Sequence, residues 1–153
     1  MATVSRTRTV AAAPQEVWEV LADFGAISGW AGNVDHSCLL SHGPGGGPLG
    51  TSRRVQVGRD TLVERITDFQ PQTALAYDIE GLPRRLRRVG NRWTVRPSAS
   101  GHTEVRLTSS VEISENPVAR IAERAMCRFL AKQSDTMLTG LAQRVEGSHD
   151  ITG

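Results

Sequence analysis

The feature that most constrains this chain is a run near its end, Asn116 to Glu146, which reads NPVARIAERAMCRFLAKQSDTMLTGLAQRVE. Asn116 suits a helix cap, and Pro117 falls at the first helical position, where its missing N–H costs nothing. Beyond Pro117 the run has no further proline and a single glycine, Gly140. At roughly 1.5 Å per residue it makes a rod of about 45 Å. Val118, Ile121, Ala122, Ala125, Met126, Phe129, Leu130, Met137, Leu138, Leu141 and Val145 recur at spacings of three and four, which predicts one broad apolar face. In a chain of 153 residues such a helix must lie across a large surface built by the rest.

That surface reads as a sheet. Thr3 to Val10 alternates with period two and is rich in β-branched residues, as a half-exposed strand would be. Pro14 to Asp23 predicts a short helix, with Val17, Val20, Leu21 and Phe24 on one side, and Ala26 to Gly29 allows one further turn. Val34 to Leu40, Thr51 to Gly58, Asp60 to Phe69, Thr73 to Glu80, Arg84 to Arg96 and His102 to Ile113 predict six more strands. Their short connections favour antiparallel pairing. The fold class is therefore α+β: a curved seven-stranded antiparallel sheet wrapped around the closing helix, with two short helices after the first strand. Residues 1–147 form one domain and 148–153 a polar, disordered tail. Strand curvature leaves a gap under the helix of the kind that holds an apolar ligand.

Composition sets limits. No run approaches the roughly 20 apolar residues of a membrane-spanning helix, and the start of the chain lacks a signal-peptide core, so a cytoplasmic location is expected. Cys38 and Cys127 are read as two buried thiols. The four histidines lack ligand spacing with carboxylates or cysteines, so no metal site is expected, and with no cofactor motif in the chain no cofactor is expected either. The net charge of +2 is too small to imply nucleic acid. The glycine-rich Ser41 to Gly50 lacks a following lysine and helix start, and reads as a flexible connection rather than a phosphate loop. Arg120, Arg124, Arg128 and Lys132 form a row of cations at i, i+4, and Arg84, Arg85, Arg87, Arg88 and Arg92 a second basic cluster. Solvated arginine explains both; contact with an anionic ligand or membrane surface is the sharper alternative.

Several stretches carry a family resemblance: APQEVWEVLADFGAISGW (Ala13 to Trp30), LGTSRRVQV (Leu49 to Val57), LVERITDFQPQTALAYDI (Leu62 to Ile79), NRWTVRP (Asn91 to Pro97) and the closing helix. The chain resembles the START-like helix-grip superfamily, also called SRPBCC, and within it the bacterial polyketide cyclase/dehydrase members. The resemblance implies a cavity for a small hydrophobic or amphipathic molecule: a lipid, fatty acyl or polyketide-like compound. Transport or sequestration is the first expectation, in a monomer or homodimer. The alternative is a cofactor-independent polyketide aromatase/cyclase-dehydratase. Plant abscisic-acid receptors are distant relatives. Their pocket pattern, carried over by position, falls on His36, Val55, Val57, Glu64, Tyr77, Ile79, Phe129, Gln133 and Met137.

Each candidate has two readings. Glu64 lies between Leu62 and Ile66 on the strand face expected to meet the helix. It would orient a polar ligand group together with His36, Arg53 and Gln133, or act as a general base, or it forms a buried ion pair with Arg53. His36 is either an acid/base group or a histidine at a strand end in water. Trp93, Ile66, Leu62 and Tyr77 are core residues that would also wall a pocket. Gln133 interrupts the apolar face of the helix, so its amide needs a partner, unless it lies at the edge of the stripe.

Overall fold

The computed structural model describes residues 2–82, 86–113 and 117–150. Its elements are β1 (Ala2–Val10), α1 (Pro14–Ala22), a 3₁₀ segment (Phe24–Gly29), β2 (His36–Ser41), β3 (Ser52–Val57), β4 (Asp60–Gln70), β5 (Ala74–Glu80), β6 (Leu86–Pro97), β7 (Thr103–Ile113) and α2 (Pro117–Asp150). Two brief 3₁₀ turns lie at Pro44–Gly46 and Ala99–Gly101. The element order is the one expected. β2 begins two residues later than Val34, and α2 runs past Glu146 to Asp150. The Asn116 cap, Arg84 and Arg85, and tail residues 151–153 lie outside the described residues.

All seven strands form one antiparallel sheet in the order β1-β7-β6-β5-β4-β3-β2. Each strand from β2 to β7 pairs with its sequence neighbour, and β1 closes beside β7, so β1 and β2 are the edges. The period of two puts Val89, Asn91, Trp93 and Val95 of β6 on the inner face, with Val105, Leu107, Ser109 and Val111 of β7 beside them. The outer face carries ion pairs, among them Arg92–Asp68 at 2.9 Å and Arg88–Asp78 at 3.2 Å. These pairs account for two of the five arginines in the second basic cluster.

α1 buries Val17, Trp18 and Leu21, and Phe24 and Ile27 follow them into the same core. α2 packs chiefly on β1 and β7. Its buried residues are Ala119, Leu130, Ala131, Ser134, Met137, Leu138, Leu141, Ala142 and Val145. The helix therefore has no single broad apolar face. Val118, Ile121 and Phe129 point outward, 72%, 72% and 53% exposed, with Ala122 and Ala125 between them. At about 100° per residue these five cluster on one side, while Leu130, Met137, Leu141 and Val145 cluster on another. Spacings of three and four merged two stripes into one.

Gly140 allows the closest approach of α2 to the rest of the fold. A Cβ there would collide with the Trp30 carbonyl oxygen. Both cysteines are free and neither is fully buried: Cys127 is half-buried, and Cys38 is exposed because it sits on edge strand β2, facing away from the core. The apolar interior falls into two clusters. The larger joins α1, the 3₁₀ segment and the C-terminal half of α2 to the sheet; the smaller gathers around Val89, Val111 and Leu130.

Candidate functional site

Because α2 packs chiefly on β1 and β7, it does not cover the inner face of β3, β4 and β5, where the 3₁₀ segment lies against β3 and its Phe24 ring meets Tyr77. Strand register decides which side chains line that space. Arg53 stands opposite Glu64 and Val55 opposite Leu62; Glu64 stands opposite Ile79 and Ile66 opposite Tyr77; Tyr77 stands opposite Asn91. Cross-strand partners project to the same face, so this set converges. A hollow of about 380 Å³ results, lying between the two apolar clusters. Val55, Val57, Leu62 and Ile79 wall it from the sheet, and Met126, Phe129, Gln133 and Met137 from α2. Its size and mostly apolar lining are those of a small-molecule pocket. A wider depression near Ala13–Gln15 and Pro71–Thr73 mixes prolines and Val95 with Arg96, Glu104 and Arg106.

One end of the hollow is polar. Arg53 and Glu64 are 2% and 6% exposed. Arg53 Nε donates to Glu64 Oε1 at 2.8 Å, and Nη2 sits 2.7 Å from the same oxygen, off the line of a hydrogen bond. Nη1 donates to the Phe24 carbonyl at 2.8 Å. The guanidinium is sandwiched by aromatic rings, 3.8 Å from the Phe24 centroid and 4.6 Å from that of Tyr77. The reading of Glu64 as a buried ion pair with Arg53 is thus realised, and Glu64 also lines the hollow. Among the described residues its second oxygen, Oε2, has no hydrogen-bond partner.

Tyr77 continues this polar band. Its hydroxyl accepts from Asn91 Nδ2 and from Trp93 Nε1, both at 3.3 Å. Ser109 Oγ donates to Asn91 Oδ1 at 2.6 Å and lies 3.5 Å from Ser134 Oγ on α2. These bonds link buried hydroxyls and amides in a line from hollow to helix. Burial pushes the Tyr77 phenol above its usual 10.0, the Glu64 charge adds to this, and Arg53 partly opposes it. Tyr77 therefore holds its proton at neutral pH.

Gln133 finds its partner in Asn33, whose Nδ2 donates to Gln133 Oε1 at 2.6 Å. The pair ties α2 to the loop before β2, and Asn33 Oδ1 is buried without a partner.

Of the residues singled out from sequence, Val55, Val57, Leu62, Glu64, Tyr77, Ile79, Phe129, Gln133 and Met137 line the hollow, while Arg53, Ile66, Trp93 and His36 do not. Arg53 stands behind Glu64. Ile66 is closed into the larger core. Trp93 packs edge-on against Trp30, with ring centroids 5.7 Å apart. His36 is the clearest correction. It pairs with Gln56, whereas Ser37 pairs with Val55, so His36 takes the outer face and is exposed. A shift of one residue along a strand exchanges the faces. On the inner side Ser37 Oγ donates to the Gly25 carbonyl at 2.8 Å.

Asn33, Asn91, Met126 and Leu82 also line the hollow and were not singled out. Asn91 had a signal: it is the polar member of the alternating set Val89, Asn91, Trp93, Val95. Asn33 had none, because loop placement is not written in local pattern. Among the described residues no three His, Cys, Asp or Glu side chains gather as a metal site, and no helix is long and apolar enough to cross a membrane.

Comparison with known proteins follows the same lines. Residues 1–146 match the Polyketide_cyc2 family, described as polyketide cyclase / dehydrase and lipid transport. No curated protein matches. Among solved structures, the ZhuI aromatase/cyclase from Streptomyces sp. R1128 is similar at 20% identity and TM-score 0.77, over 95% of this chain and 93% of that one. A START superfamily protein from Mycobacterium smegmatis is similar at 17% identity and TM-score 0.75, over 95% and 97%. A Thermobifida fusca protein reaches 27% identity and TM-score 0.78, over 95% and 93%. With its helix-grip architecture and a family match across nearly its whole length, this chain belongs to the polyketide cyclase/dehydrase and lipid transport family of the START-like (SRPBCC) superfamily.

Proposed function

We propose that the protein binds a small hydrophobic or amphipathic molecule in the hollow between sheet and α2, as a carrier or sequestering module for a lipid, fatty acyl or polyketide-like compound. The observation that carries this reading is the 380 Å³ hollow, with apolar walls and one polar end. Native mass spectrometry of protein purified from its own host tests it. A co-purifying mass released on denaturation is expected; protein that is ligand-free in repeated preparations, and unchanged in melting temperature by candidate lipids, would overturn the reading.

A second reading, a cofactor-free aromatase/cyclase-dehydratase, is favoured by a specific pairing. Glu64, with an unused carboxylate oxygen, and Tyr77, a proton-holding phenol, line the same space. The carboxylate would take a proton from the carbon between two ketones, and the phenol would stabilise the enolate oxygen. Turnover of a synthetic poly-β-ketone thioester distinguishes this from carriage: a carrier returns the thioester unchanged apart from its background cyclisation.

The outer stripe of α2 supports one partner. Val118, Ile121 and Phe129 are exposed beside the cations Arg120, Arg124, Arg128 and Lys132, a combination suited to an anionic bilayer surface. Phe129 also lines the hollow, so the contact would place it beside lipid. Sedimentation with vesicles tests this. Salt-sensitive binding to anionic but not neutral vesicles is expected; equal partitioning at low salt, or a concentration-dependent dimer that buries the stripe, would overturn it.

A further inference from the structure

The polar band beside the hollow contains a hydroxyl whose direction the fold dictates. The Tyr77 oxygen has two partners, Asn91 Nδ2 and Trp93 Nε1, both at 3.3 Å. An indole nitrogen only donates, but an amide has two ends. Turned over, Asn91 would take the Tyr77 proton on Oδ1 and give its Nδ2 to Ser109. The distances decide against this. Ser109 Oγ lies 2.6 Å from the amide atom that faces it, which suits O–H···O and is too short for N–H···O. At 3.3 Å the other end of the amide is too far from the phenol oxygen for O–H···O. Ser109 therefore fixes the amide, and the amide turns its N–H to the phenol.

The phenol oxygen is thus used twice as an acceptor, and both donors come from β6. Among the described residues its own proton has no acceptor. Tyr77 and Asn91 both line the hollow, whereas Trp93 belongs to the larger core. The proton is left on the side away from β6, where the hollow lies. Whatever meets it there must accept. A carbonyl oxygen of a ketone, ester or carboxylate does so; an ammonium or a bare alkyl end does not. We infer that Asn91, held by Ser109, is a positioning residue that fixes the Tyr77 hydroxyl as a donor to a carbonyl oxygen of the molecule in the hollow. This rests on the ligand-binding reading above and deepens it, and it applies equally to a ligand that is carried and to one that is converted.

Isotope-edited infrared spectroscopy of 2-decanone bound to the full chain tests the inference, because the carbonyl stretch reports the hydrogen bond itself. The bound ketone should absorb at lower wavenumber than the same ketone in hexane. Tyr77→Phe should return the band to its hexane position and weaken binding about fivefold, the worth of one net hydrogen bond. Asn91→Asp is nearly isosteric but puts an acceptor where the N–H stood. It should draw the phenol proton to itself, so that the ketone still binds and its band loses the shift. Ser109→Ala frees the amide to turn over and should remove part of the shift in the same way. A ketone that binds with its band at the hexane position overturns the inference and leaves ligand binding standing. A shift undiminished in both the Asn91→Asp and Ser109→Ala proteins overturns the positioning role. If the ketone does not bind at all, the ligand-binding reading falls and takes this one with it. Should Asn91→Asp fail to fold because it buries a charge, the smaller Ser109→Ala change decides.

Discussion

The two halves of α2 carry similar apolar spacing and do different work. In the C-terminal half, Leu138, Leu141, Ala142 and Val145 are at most 3% exposed, and Gly140 lets the helix backbone abut the Trp30 carbonyl. In the N-terminal half, Val118 and Ile121 face solvent, while Met126 and Phe129 border the hollow. One half is an anchor and the other reaches over a space it does not fill. The hollow exists because the helix is held firmly at one end and lies to one side, over β1 and β7.

The largest effect is expected where the two regions meet. Glu64→Leu would strand Arg53 as an uncompensated buried charge, at a cost of roughly 4 kcal/mol in urea denaturation. A loss below about 1 kcal/mol would mean that the pair is solvated and the floor of the hollow is not part of the core. Next is Leu141→Ala in the anchoring half. It removes a fully buried side chain and should cost about 3 kcal/mol, the common range for such truncations.

An alkaline titration probes the boundary again, through the only tyrosine in the chain. Tyr77 has a folded-state pKa raised above 10.0 by burial and by Glu64. Raised in this way, the phenol contributes stability that is whole below the unfolded pKa and is lost as pH climbs from there through the folded value. Phenolate absorbance should therefore appear together with loss of the folded circular dichroism signal. Phenolate forming at its ordinary pH in a still folded protein would show that Tyr77 is open to water. The smallest effect belongs to the outer stripe. Ile121→Ser should change stability by less than about 0.5 kcal/mol, since the side chain is exposed, yet weaken binding to anionic vesicles. A large destabilisation would show that the stripe is covered in solution, and the contrast between the two halves would fail.

Much of the fold was legible because its signals are local. Pro14 and Pro117 mark helix starts, period-two alternation marks the strands, and short connections imply antiparallel neighbours. The inner positions Val55, Val57, Glu64, Tyr77 and Ile79 came from the family resemblance, and strand parity within each run agreed with them, as it did for Leu62 beside Glu64. Parity failed at β2, where His36 was assigned by resemblance and register turned it outward. The single apolar face assigned to α2 failed for another reason. Spacing reveals that apolar residues share a side, but not which side meets the sheet.

What the sequence by itself determined about this protein is the set of elements, their order and the identity of the polar residues that fall among apolar ones: Glu64, Gln133 and, in retrospect, Asn91. Propensity, capping and periodicity act within a few residues, so they are written in the chain. Only the tertiary structure decided that Arg53 spends its charge on one Glu64 oxygen and frees the other, that Asn33 meets Gln133, and that α2 sits over β1 and β7. Those outcomes depend on register between strands and on where a helix comes to rest. Both are settled by contacts between residues far apart in sequence, which local pattern does not encode.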